Sequence, residues 1–211
     1  MNCERRSPVT LPGRPARSEK RDGWNVVLEY EGESGGPLLI DLSHGRKWDL
    51  QDVDIARFKP FGMSIPDDPG QSRLENGILI NRMGRTQASI WRLSEQVPDD
   101  TADPAFTETT EGQLLLALAG PNIFSITEKL TSLEFDDSSK VTPFLLFGPF
   151  SHVPCQTVVL SRSKRDGVLL LACSRGYGRD MTHAILEAGR EFRLKPGGEN
   201  GFAAAMKEIA G

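Results

Sequence analysis

The side chains able to do chemistry are few and scattered in this sequence of 211 residues. Gly176-Tyr-Gly178, flanked by Arg175 and Arg179, has the composition of a tight turn leading into a helix. Backbone N–H groups at such a helix start, joined by two guanidinium groups, would suit a small anion such as a carboxylate. A dinucleotide site would need a third glycine where Met181 stands, and a parallel βαβ unit ending in a ribose-binding acid. His44, His152 and His183 have no partners at metal-ligand spacing, so no metal is expected. His183 is expected on the polar face of a helix, paired with Glu187 one turn on. Asp49, Asp52 and Asp54 alternate in a polar segment that lacks the glycine and distal glutamate of a calcium loop. Ser43-His44 has neither a third member nor a glycine elbow, which argues against a hydrolase. Cys3, Cys155 and Cys173 are odd in number and carry no ligand spacing. They point to free thiols in a reducing, cytoplasmic setting.

Composition narrows the classes. An apolar fraction of 38% and a charged fraction of 26% suit a globular chain with a real core. A net charge of −4 argues against nucleic acid as the main partner, because phosphate contacts want clustered Lys and Arg. No apolar run approaches the length of a membrane span, and no charged-then-apolar leader opens the chain.

The elements that must position these residues can be read in order. Residues 1–22 hold six basic residues (Arg5, Arg6, Arg14, Arg17, Lys20, Arg21) against three acidic ones among prolines and serines, a composition expected of a flexible basic arm. Residues 23–93 are expected to form a first α+β module. Its strands are Trp24 to Tyr30 and Pro37 to Leu42, with the sheet continuing through Lys47 to Asp54. A short helix follows from Ile55 to Phe61, then a hairpin opened by Asn76-Gly77, Ile78 to Asn81 with Ala88 to Leu93. Residues 94–112, with six acids and no Lys or Arg, form an acidic connector. A second module spans 113–195. Leu114 to Ala119 is an unbroken apolar run and so a buried strand. Pro121 suits the first turn of a helix, and Ile123, Ile126, Leu130 and Leu133 recur at helical spacing. Val153 to Ser161 and Val168 to Ala172 are strands, and Met181, Ala184, Ile185 and Ala188 line one face of a second helix. Residues 196–211 are a tail in which Phe202, Met206 and Ile209 give a short helix an apolar edge, free to dock on this chain or another. The two modules look like distant copies, with Ser89-Ile-Trp-Arg-Leu-Ser94 echoing Leu169-Leu-Leu-Ala-Cys-Ser174. The expected architecture is α+β, two stacked modules of antiparallel sheet with helices on one face. Phe144-Leu-Leu-Phe-Gly-Pro-Phe150 sets Phe144, Phe147 and Phe150 beside a Gly-Pro turn. Together with Phe202 and Met206 they are candidates for a partner interface.

Several of these segments resemble a known family. Leu118-Ala-Gly-Pro-Asn122 leads into a helix, Val153-Pro-Cys155 opens a strand, and Gly167-Val-Leu-Leu-Leu171 precedes Ser174-Arg-Gly-Tyr-Gly178. Ile40-Asp-Leu-Ser-His-Gly45 and Ile65-Pro-Asp-Asp-Pro-Gly70 lie upstream. Across residues 38–195 the chain resembles the gamma subunit of heterotetrameric sarcosine oxidase, a relative of the glycine-cleavage aminomethyltransferase (T-protein) superfamily. The resemblance implies the aminomethyltransferase folate-binding fold, and a place in a multi-subunit amine-oxidising or demethylating enzyme. There, larger subunits would carry flavin and bind tetrahydrofolate, and this chain alone would bind no cofactor. Aminomethyl transfer needs a carboxylate near the folate to position the reacting amine and manage its proton. The family places that acid in an Asp-Asp pair after a Gly-Gly turn. The matching places here are Gln156-Thr157 in the second module and Ile80-Asn81 in the first, and neither holds an acid. A related Lys-Gly-Cys-Tyr-x-Gly-Gln-Glu motif of iron–sulfur maintenance proteins finds only Cys155-Gln156 as a counterpart. The expected role is therefore a non-catalytic accessory subunit. The alternatives are a stand-alone tetrahydrofolate-dependent aminomethyltransferase using another acid, or a folate-binding regulator.

Overall fold

Leu114 to Ala119 can be apolar at every position because both faces of its strand are covered. Leu114, Leu116 and Leu118 enter one apolar cluster while Leu115, Ala117 and Ala119 enter another. A computed structural model of the chain describes residues 4–94, 103–162 and 166–210. The strands are β1 (Pro15–Arg21), β2 (Trp24–Tyr30), β3 (Leu38–Asp41), β4 (Lys47–Gln51), β5 (Ser72–Glu75), β6 (Ile78–Arg82) and β7 (Gln87–Arg92). They continue with β8 (Phe106–Glu108), β9 (Gln113–Pro121), β10 (Phe144–Phe150), β11 (Val153–Arg162), β12 (Asp166–Ser174) and β13 (Lys195–Gly197). The helices are α1 (Ile123–Thr127), α2 (Gly178–Gly189) and α3 (Glu199–Ala210).

The fold is α+β, built mainly from antiparallel sheets with few helices. A six-stranded sheet runs β10-β11-β12-β9-β3-β13, a five-stranded sheet β5-β6-β7-β4-β8, and β1-β2 form a ribbon. All pairings are antiparallel except β13 with β3. One face of the six-stranded sheet is covered by α1, α2 and the N-terminal residues Val9 and Leu11. Its other face meets Leu79 and Trp91 of the five-stranded sheet and Phe202 of α3. The outer face of the five-stranded sheet packs Trp48, Leu50, Ile78, Ile80 and Ile90 under Ile55, Phe58 and Met63. Helices thus cover one face, apart from α3 on the opposite side. Asn76 and Gly77, at φ 50° and 77°, make the two-residue turn between β5 and β6. That is the left-handed geometry an Asn-Gly hairpin favours.

Several expectations need correction. The basic arm is held on the body: Val9 and Leu11 are buried, β1 pairs along β2 and Arg21 is bound by Glu199. The division into modules 23–93 and 113–195 is crossed by β3, which leaves the first and joins the sheet of the second beside β9. The acidic connector lies outside the described residues at 95–102. In the rest of that connector, β8 pairs with β4 and a 3-10 turn spans Thr110–Gly112. The helix after β9 ends at Thr127. Leu130 and Leu133 reach the core from irregular chain, and Pro121 ends the strand while Asn122, at φ 60°, makes the turn. In place of a helix at 55–61 there are 3-10 turns at Ile55–Arg57 and Pro60–Gly62. The tail adds strand β13, and its helix docks on this chain through Phe202.

Candidate functional site

The two positions matched to the missing acid lie together. Asn81 is on β6 and Gln156 on β11, and alternation along each strand turns both side chains toward the seam between the sheets. Ser72 Oγ donates to Asn81 Oδ1 at 2.7 Å, Asn81 Nδ2 donates to Ser89 Oγ at 3.2 Å, and Ser89 Oγ donates to Gln156 Oε1 at 3.0 Å. Asn81 and Ser89 are buried. The chain of bonds runs from the edge of one sheet into the other and consists of hydroxyls and amides. None of these groups exchanges a proton near neutral pH, so the arrangement can hold register but cannot act as general acid or base. Thr157, the neighbour of Gln156, turns to the opposite face, where its buried hydroxyl finds no partner among the described residues.

A second polar cluster joins the two ends of the chain. Arg21 grips Glu199 through both carboxylate oxygens at 2.8 and 2.9 Å, and His44 Nε2 lies 3.0 Å from Glu199 Oε1. Burial alone would raise the Glu199 pKa, but bonds to His44 and Arg21 outweigh it and bring it down to about 2. Arg21, Trp24, Leu42, His44, Arg92 and Glu199 line a pocket here whose enclosed part is water-sized. One strand away, Lys47 is fully buried, and its Nζ donates to Ser43 O at 2.8 Å and Gly45 O at 2.6 Å. Burial lowers its pKa to about 7 against the opposing pull of Asp41, Glu111 and Glu108. Ser43 itself is spent on the backbone of Leu115, whose N–H donates to Ser43 Oγ at 3.2 Å. Sequence reasoning missed Arg21, Lys47 and Glu199. Each is a charged residue in a polar or strand-like stretch, and only tertiary pairing gives it a role.

Arg175 lies 3.6 Å from Glu111, which also holds Arg5 at 3.1 Å, and Arg175 bonds the carbonyl of Arg6. Arg179 stands exposed on α2. The start of α2 packs against the N-terminal segment so closely that a Cβ on Gly178 would sit 2.5 Å from Pro8 O. The structure therefore does not bring Arg175 and Arg179 together around an anion. Of the aromatic set, Phe144, Phe150 and Phe202 are buried core residues and correct the expectation of an exposed anchor. Met206 is half-buried against the same core, and Phe147 is 45% exposed. His152 and His183 are exposed, and Glu187 is taken by Arg190 at 2.7 Å rather than by His183. Among the described residues no group of three His, Cys, Asp or Glu could hold a metal, and no helix is long and apolar enough to cross a membrane.

A two-sheet α+β body with a neutral seam and a charged clasp between its termini is what the geometry defines. No family model and no curated protein matches the chain. Among solved structures it is similar to a chain of the heterotetrameric sarcosine oxidase from Corynebacterium sp. U-96, determined in complex with pyrrole 2-carboxylate. The TM-score is 0.59 at 11% identity, with 73% of this chain and 84% of that chain covered. The likeness is one of fold.

Proposed function

We propose that this chain is a gamma-like accessory subunit of a multi-subunit, folate-linked oxidase or demethylase acting on sarcosine or a related methylamine. The observation that carries the reading is the shared fold with a chain of a heterotetrameric oxidase. The two coverages make that chain slightly shorter than this one, a length that suits a small subunit. The seam supports the same reading, because Asn81 and Gln156 offer amides where aminomethyl transfer would need a carboxylate. Flavin and tetrahydrofolate belong, in this proposal, to the larger subunits. Phe147 on the edge strand β10, with Val141 just before it in sequence at 86% exposure, is the apolar surface offered to them.

The test is to purify the tagged full-length chain from its native source and identify the polypeptides that travel with it. Stoichiometric recovery of a flavin-bearing, folate-binding larger subunit is expected. Robust folate-dependent one-carbon transfer by the isolated chain would overturn the proposal.

A further inference from the structure

Cys155 and Cys173 lie 18 positions apart in sequence on neighbouring antiparallel strands, β11 and β12. The ladder pairs Gln156 with Ala172, and one step further sets Cys155 opposite Cys173. Both side chains project into the helix-covered cluster with Leu114, Leu171 and Met181. Directly opposed residues on antiparallel strands have Cα atoms about 4.5–5.5 Å apart. That lies inside the roughly 4.4–6.8 Å a disulfide spans. Both are free thiols and interact with each other. Cys155 Sγ also lies 3.2 Å from Val153 O, and Cys173 Sγ 3.6 Å from Ser174 O.

We propose that Cys155 and Cys173 form a site of reversible two-electron oxidation, closed by a peroxide into a disulfide across β11 and β12. The strand register brings the thiols together, and their surroundings favour unequal parts. The Cys173 S–H hydrogen-bonds toward Cys155 and, with the backbone at Phe150, favours its thiolate against the opposing effect of burial. The same bond and burial hold Cys173 protonated. The Cys155 thiolate therefore attacks one peroxide oxygen. The O–O bond breaks, Cys155 becomes a sulfenic acid, and the departing hydroxide takes up a proton to leave as water. Cys173 then attacks Cys155 Sγ. The S–S bond forms, the S–O bond breaks, and a second water leaves with the Cys173 proton. One peroxide is reduced to two waters and two thiols are oxidised to one disulfide. The cysteines are only 5% and 6% exposed, which favours a small neutral oxidant such as hydrogen peroxide over a bulky disulfide. The resolving thiol also stands close enough to intercept the sulfenic acid before it oxidises further.

The experiment uses the folded full chain carrying Cys3→Ser, which leaves these two thiols alone. It is treated with hydrogen peroxide, blocked with N-ethylmaleimide, and followed by intact mass and peptide mapping before and after dithiothreitol. Expected are the loss of two hydrogens, no maleimide on either residue, a peptide cross-linking Cys155 to Cys173, and full reversal by the reductant. Adding Cys173→Ser should leave a sulfenic acid at Cys155 that dimedone traps. Maleimide on both thiols after peroxide, sulfinic acid at Cys155 without a cross-link, or a disulfide joining two chains would each overturn the proposal.

Discussion

Two polar seams tie distant parts of this chain, and they are made of different materials. Between the sheets, Ser72, Asn81, Ser89 and Gln156 form a neutral chain of bonds in which Asn81 is wholly buried. Between the termini, Arg21, His44 and Glu199 form a charged clasp whose Arg21 and Glu199 side chains keep 18% and 21% exposure. An ionised group withdrawn completely from water costs several kcal/mol, roughly, before any partner is found, whereas one at a half-open site keeps part of its hydration. Burial therefore decides what each seam can be made of. It also makes the inner seam a poor place for a reactive carboxylate.

The comparison breaks hardest at Asn81. Asn81→Asp places an acid in the buried seam and is expected to cost about 3–5 kcal/mol at pH 7. Burial would raise the new carboxyl above its ordinary value, so the cost should fade as pH drops and the group becomes a neutral donor to its neighbours. Urea unfolding at pH 7 and pH 4 measures both. An equal, small cost at both values would mean that the seam is wet. Glu199→Gln should cost less, about 1–3 kcal/mol. This cost too should fade with acid, here because the parent loses the clasp. Folding holds the Glu199 pKa at about 2 against an ordinary 4.5, so the clasp contributes fully above 4.5 and is lost as pH falls toward 2. Acid unfolding of the Gln variant should therefore be flatter than that of the parent across this window.

The smallest effect at neutral pH is expected at Lys47, which stands near both seams. Lys47→Met removes a buried amine and its two carbonyl bonds together, and these changes offset to within about 1 kcal/mol. The signature is instead a slope. Folding lowers the Lys47 pKa from 10.5 to about 7, so between these values the unfolded chain binds more protons and stability rises with pH. The Met variant should lose that rise, which paired denaturation curves at pH 7 and pH 10 would reveal.

How far the sequence foretold this depends on how local each cause is. The apolar runs of β9 and β12 were legible because a strand covered on both faces has no room for polar alternation. Asn76-Gly77 likewise carries its own turn. Pro15-Ala-Arg-Ser-Glu-Lys-Arg21 was not legible as a strand, since nearly every side chain in it is exposed and its order comes from β2 and Glu199. Leu130 and Leu133 misled because helical spacing also arises in irregular chain that returns to one core. Asn81 and Gln156 stand far apart in sequence, each at a place without an acid. That they share one bonded network needed the stacking of the sheets, as the facing of Cys155 and Cys173 needed the strand register.

Strand β3 has a practical consequence. Because Leu38–Asp41 fills the slot between β9 and β13, cutting the polypeptide between its halves would not release two self-sufficient pieces. A fragment beginning at Gln113 would bare the backbone of Leu116 to Ala119 as a greasy, unpaired margin, ready to stick to its own kind. Anyone dividing this protein for expression would do better to keep Leu38–Asp41 in the same piece as β9.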